Sequence, residues 1–173
     1  HSFTPRAVEA LRGARVKAVS AGLCHSLFLA DKGLVYSCGG NHRSFAACWQ
    51  LGLGGDFTCL YAPKVIEALR SEPVVSVAAG GDHSLFLTAN GVVFSCGNGD
   101  DGALGHGDAL AHHTPLAIEA LRSVRVAAMA AGDGHSLFLT SRGAVYSCGS
   151  GESGALGHGS EKEERTPRAV EGL

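Results

Sequence analysis

The chain has 173 residues, 45% of them hydrophobic, and a formal net charge of -2 with His neutral. That is enough apolar material for a packed core, with no sign of disorder, and too little clustered Lys and Arg for direct nucleic-acid contact. No apolar stretch approaches the roughly 18 residues of a membrane span, and there is no basic amphipathic helix.

Taken in order, the chain opens on Thr4-Pro5-Arg6-Ala7-Val8-Glu9-Ala10-Leu11, which returns at its end as Thr166-Pro167-Arg168-Ala169-Val170-Glu171-Gly172-Leu173. Between these ends one unit recurs. Ala18 to Gly40 reads AVSAGLCHSLFLADKGLVYSCGG, and it is repeated almost residue for residue by Ser76 to Gly107 and Ala128 to Gly159. His25, His83 and His135 are spaced by 58 and 52 residues, and Cys38, Cys96 and Cys148 by the same steps. Pro5, Pro63, Pro115 and Pro167 are spaced by 58, 52 and 52, so a six-residue excess lies between Cys38 and Pro63. The repeats are therefore set at residues 1–62, with the insertion, 63–114 and 115–166, with 167–173 opening a fourth.

A period of this size with several short strand-like runs per unit signals a propeller rather than a helical solenoid. Four strands are expected per unit: one at the Pro-x-x-Val-x-x-Leu segment, one at Val74 to Ala78 or Val124 to Ala128, one at His-Ser-Leu-Phe-Leu-Thr, and one ending in Ser-Cys. Leu85-Phe86-Leu87 is apolar at consecutive positions, which fits a strand covered on both faces. Lys32-Gly33, Asn90-Gly91 and Arg142-Gly143 read as tight turns between strands. For Thr-Pro-x-x-x-Glu-Ala-Leu a helix start is the rival reading, since Pro suits the first helical position. Propellers close with four to eight blades, so three units predict an arc of a larger ring, with the remaining blades in the same gene product or in a neighbouring copy.

The six cysteines do not form a disulfide framework. Cys38, Cys96 and Cys148 hold one repeat position, one blade apart, and all six are expected as buried thiols in an intracellular, reducing compartment, whether cytoplasm, nucleus or cytoskeletal assembly. Cys38, His42, Cys48 and Cys59 match no common zinc spacing. His25, His83 and His135 each open an apolar strand after a Gly bend and read as structural imidazoles, too far apart to share an ion. His106 and His158 are matched by Leu53 in the first unit, which favours packing. The loops Gly97 to Gly102 and Gly149 to Gly154 lack the Lys-Ser/Thr of a phosphate cradle and carry acids. No catalytic residue, metal site or cofactor is expected.

Recognition is left to the loops. The stretch Asn41 to Trp49 combines Arg43, Phe45 and Trp49, residue types enriched at interface hot spots, although Phe45 and Trp49 also suit a second role, folding back as packing near Cys38. Asp100 and Asp101 are acids available to a basic partner.

The repeating Ala-Gly-x-x-His-Ser, Leu-Phe-Leu-Thr, Val-Tyr-Ser-x-Gly, Gly-Ala-Leu-Gly-His-Gly and Thr-Pro-x-x-Val resembles the repeat of the regulator of chromosome condensation family over essentially the whole chain. The resemblance implies an all-β fold, a partial propeller of three blades and the start of a fourth, from a seven-bladed ring. Two departures stand out: the Trp usual in that family before the glycine of the third run is Cys38, Cys96 and Cys148 here, and the first unit carries the longer loop. The leading expectation is a non-enzymatic protein-interaction or scaffold module. One alternative is nucleotide exchange on a small GTPase, as in the founding branch. Another is a targeting domain joined to a catalytic domain elsewhere, such as a ubiquitin ligase or kinase. Light sensing of the plant UV-B type is disfavoured, because Leu23-Cys24, Gly81-Asp82 and Asp133-Gly134 hold no indole or guanidinium.

Overall fold

The structure is a computed structural model that describes residues 4–40, 48–55 and 59–172. Twelve strands form three four-stranded antiparallel sheets. The first holds β1 (Val16–Ala21), β2 (His25–Ala30), β3 (Val35–Gly40) and β4 (Cys59–Val65). The second holds β5 (Val74–Ala79), β6 (His83–Thr88), β7 (Val93–Gly97) and β8 (His112–Ala117). The third holds β9 (Val126–Ala131), β10 (His135–Thr140), β11 (Val145–Gly149) and β12 (Glu164–Ala169). Each is an up-and-down meander, and the three stack face to face as consecutive blades of a partial propeller.

The segments at Pro63, Pro115 and Pro167 are strands, not helices, whereas Thr4 to Val8 joins no strand. Those at Pro63 and Pro115 are followed by a single 3-10 turn over Glu-Ala-Leu, at Glu67–Leu69 and Glu119–Leu121, so the helix-forming Glu-Ala-Leu is used for one turn only. Val126, and not Val124, starts β9: the Val124 N–H is still bonded to the Leu121 carbonyl, which keeps it in the preceding turn. Hydrogen bonding also sets the phase of the repeat, which periodicity cannot. The proline-bearing strand pairs as the fourth strand of the sheet before it, so Pro63, Pro115 and Pro167 close sheets. Gly33, Gly91 and Gly143 sit in the hairpin turns with positive φ, as tight turns require.

Burial shows which faces are covered. All six residues of β6 are buried, because the middle sheet has a neighbour on either side. In β2 the alternate residues His25, Leu27 and Leu29 are buried, and in β10 the opposite phase, Ser136, Phe138 and Thr140. Two apolar layers result. Leu27, Leu29, Val35, Ile66 and Leu69 meet Val74, Phe86 and Cys96 between the first two sheets, and Leu85, Leu87, Val93, Ile118 and Leu121 meet Val126, Phe138 and Cys148 between the second and third. Each layer is centred on one fully buried Phe, and burying such a side chain stabilises by about 1.5–3 kcal/mol.

Candidate interaction surfaces

Besides apolar contact, adjacent sheets are joined by a repeated polar stitch. His25 Nε2 lies 2.9 Å from Ser84 Oγ, and Ser84 donates its single hydroxyl proton to the Gln50 carbonyl at 2.7 Å. His83 repeats the arrangement with Ser136 at 3.0 Å, and Ser136 donates to the Ala103 carbonyl at 2.7 Å. Since each serine has spent its proton, the imidazole must donate from Nε2. Burial keeps it neutral: desolvation pulls the pKa of His25 down to about 4, and desolvation, helped by its histidine neighbours, pulls His83 down to about 3. Gly80 permits this geometry, because a Cβ there would fall on the His83 ring. These histidines each tie one sheet to the serine of the next.

A second stitch works within a sheet. Ser95 Oγ donates to the Leu104 carbonyl at 2.8 Å and meets His106 Nε2 at 2.9 Å, and Ser147 does the same with Leu156 and His158. In the first sheet Ser37 bonds Leu51, and Leu53, standing where the histidine would be, packs against the apolar layer. None of the six cysteines is in a disulfide. Cys48, Cys96 and Cys148 are buried, but Cys24 and Cys38 are half-buried and Cys59 is exposed, so the expectation of six buried thiols is corrected. Cys38 differs from its repeats because it faces outward from the first sheet. Burial drives the Cys148 thiol to about 12 and that of Cys96 well upward, which leaves both inert.

The strand directions place the loops on two faces. One face carries the hairpin turns and the Glu-Ala-Leu-Arg turns, where Arg70 pairs with Glu67 and Arg122 with Glu119 at 2.6 Å, and Arg12 with Glu9 at 3.0 Å. Arg15, Lys32, Arg125 and Arg142 lie on the same face, so it is the more basic of the two. The other carries the bends before each histidine and the long connections to the fourth strands, and among its described residues acids dominate. A small cleft of about 30 Å³ there, between the second and third sheets, is lined by Asp82, Asn98, Asp101 and Asp133 together with His83, Ala103 and Gly134. Asp100 is exposed beside it, its backbone N–H accepted by the Asn98 side chain at 3.0 Å. Nearer the axis, Ala21, Leu23, Gly80, Gly81, Gly132 and Asp133 line a wider concavity. The loops there are tied in series, Leu23 N–H to the Gly80 carbonyl at 3.2 Å and Gly81 N–H to the Gly132 carbonyl at 3.1 Å.

Of the expected recognition residues, Arg43 and Phe45 lie outside the described residues. Trp49 is half-buried in the 3-10 turn Trp49–Leu51, with its ring centroid 5.3 Å from that of His113 of the second sheet. Asp100 and Asp101 are exposed on the acidic face, where the structure adds Asp82 and Asp133. The sequence carried no signal for this grouping, since the four acids come from three separate loops. Among the described residues no group of three or more His, Cys, Asp or Glu is placed to hold a metal ion, and no helix is long and apolar enough to cross a membrane.

Comparison with known proteins places this architecture. The family model described as the regulator of chromosome condensation (RCC1) repeat matches residues 32–87, 90–139 and 142–173. The probable E3 ubiquitin-protein ligase HERC3 of Homo sapiens is 36% identical over 166 residues, covering 96% of this chain and 15% of the ligase. The E3 ubiquitin-protein ligase HERC2 of Mus musculus is 40% identical over 171 residues, covering 98% of this chain and 3% of the ligase. The chain thus spans a small part of the curated relatives it matches. Among solved structures, yeast RCC1 (Prp20) bound to Kap60 superposes with a TM-score of 0.79 at 27% identity, over 92% of this chain and 37% of that one. Prp20p from Saccharomyces cerevisiae, reported with its binding properties to Gsp1p and histones, gives 0.79 at 26% identity, over 92% and 39%. A solved human protein, WBSCR16, is similar more distantly, at a TM-score of 0.51 and 24% identity, over 91% of this chain and 53% of that one. With matching repeats over most of its length, three stacked four-stranded sheets and this similarity, the chain belongs to the regulator of chromosome condensation (RCC1) repeat family.

Proposed function

We propose that this chain is a partner-docking part of a larger ligase-type protein, and that its acidic loop face grips a basic protein segment. The observation that carries the reading is the convergence of Asp82, Asp101 and Asp133 on one cleft, with Asp100 at its edge. A cleft lined by one sign of charge raises the local concentration of an oppositely charged ligand and speeds encounter. The similarity to HERC3 and HERC2, of which the chain spans 15% and 3%, supports a targeting role whose catalytic part lies in other segments. Free thiols fit an intracellular, reducing setting.

The test is fluorescence anisotropy with a labelled Lys/Arg-rich peptide and an acidic control. Binding of the basic peptide that weakens with added salt and falls at least tenfold on combined Asp82→Asn, Asp101→Asn and Asp133→Asn substitution supports the reading. Equal binding of both peptides, or none, overturns it. A second reading, exchange on a small GTPase, is favoured by the likeness to Prp20p, whose structure was reported with binding to Gsp1p. Accelerated release of labelled nucleotide from such a GTPase would support that reading, and an unchanged rate would remove it.

A further inference from the structure

We propose that the third unit holds an anion pocket on the hairpin-turn face, suited to the phosphate of a phosphorylated serine or threonine in a protein partner. A cavity of about 430 Å³ lies there between the segment that leads into β9 and the hairpin that joins β10 to β11. Arg125 comes from the segment and Arg142 from the hairpin, and Ser123, Thr140, Ser141 and Tyr146 add hydroxyls. Val124 and Tyr146 also pack against the apolar layer between the second and third sheets, so the pocket belongs to a joint that is complete within the chain.

The backbone holds the two cations in register. Ser141 N–H donates to the Arg125 carbonyl at 2.8 Å, which ties the hairpin to the incoming segment, and Gly143 N–H donates to the Thr140 carbonyl at 3.0 Å, which closes the turn carrying Arg142. One Arg125 nitrogen donates to the Ala89 carbonyl at 3.3 Å and anchors that side chain to the hairpin of the second sheet. No carboxylate lines the cavity, so neither arginine is neutralised from its walls. Planar guanidiniums bind phosphate through paired N–H donors, and a phosphorylated side chain offers three acceptor oxygens to arginines and hydroxyls together.

The other two units show what is specific to the third. In the first, the matching cavity is lined by Arg12, Arg15, Lys32 and Tyr36, but Asp31 stands in the place of Ser141 and already meets Lys17 at 2.8 Å and Arg15 at 3.9 Å. In the second, Pro73 and Asn90 stand in the places of the two arginines, and Glu72 in that of Val124. A nucleic-acid strand is held by cations along its backbone, and the break at Pro73 and Asn90 interrupts such a track. A single phosphate on a protein segment needs one pocket only, which is what the third unit supplies.

NMR titration of the chain, read at the arginine Nε–H peaks, tests this with a glycine-flanked phosphoserine peptide, its unphosphorylated and glutamate forms, and a single-stranded DNA oligonucleotide. The phosphopeptide is expected to shift Arg125 and Arg142 saturably, and the serine and glutamate forms to leave them in place. Arg142→Gln, and separately Ser141→Asp, which brings in the acid of the first unit, are each expected to weaken the phosphopeptide by roughly tenfold or more. Both residues are exposed in a turn, so the fold is kept, as circular dichroism would confirm. No saturable shift, equal shifts with the glutamate form, an equal response at Arg15, unchanged affinity in both variants, or tighter binding of the oligonucleotide than of the phosphopeptide would overturn the proposal.

Discussion

His83 Nε2 lies 3.0 Å from Ser136 Oγ across the joint between the second and third sheets, and the serine passes its own proton to the Ala103 carbonyl at 2.7 Å. Three elements distant in sequence are thereby fixed by two hydrogen bonds between buried side chains. Removing the hydroxyl leaves a buried imidazole N–H and a loop carbonyl without their partner. Ser136→Ala is therefore predicted to cost about 1–3 kcal/mol. Urea unfolding of Ser136→Ala, His83→Ala and the double variant should show a coupling energy. Additive effects would show that the pair is not coupled.

Acid should loosen the same joints. His25 and His83 are neutral in the folded chain, with pKa values near 4 and 3, against an ordinary value of 6.5. Below pH 6.5 the unfolded chain takes up protons at these sites and the folded chain does not. The stability they contribute is fully present above pH 6.5 and is lost as pH falls through 6.5 towards 4 for His25 and 3 for His83. Inside the window each histidine removes about 1.4 kcal/mol per pH unit. Thermal melts from pH 7 to pH 4 read this directly, and a flat profile would contradict it.

Two phenylalanines in the same repeat position should behave differently. Phe86 is fully buried between two sheets and Phe28 is half-buried on an open face. Phe86→Ala is predicted to cost about 3–5 kcal/mol, and Phe28→Ala roughly half of that or less, in dilute denaturant titrations. Equal costs would mean that the first sheet's outer face is covered.

Trp49→Ala is predicted to destabilise by about 2 kcal/mol, because the ring rests on His113 of the neighbouring sheet. An unchanged melting temperature with weaker partner binding would assign the indole to docking instead.

Much of the architecture was legible in the residues. The spacing of His25, His83 and His135 gave the repeat, and the unbroken Leu85-Phe86-Leu87 gave a strand covered on both faces, as β6 is. The histidine-to-serine stitch was half legible: His and Ser are adjacent in sequence, but each His bonds the Ser of the next repeat, and only stacking reveals that. The phase of the sheets was hidden because a repeat can be cut anywhere, and pairing alone assigns Pro63, Pro115 and Pro167 to the preceding sheet. Asp100 and Asp101 stood out as a pair, whereas Asp82 and Asp133 joined them only when separate loops were brought to one face.

The most direct test of the account is hydrogen exchange of the chain with and without a Lys/Arg-rich peptide. The acidic-face reading predicts added protection in residues 80–82, 98–101 and 132–134, with the turns at Arg70 and Arg122 unchanged. Protection centred on those arginine turns, or no change anywhere at saturating peptide, would contradict it.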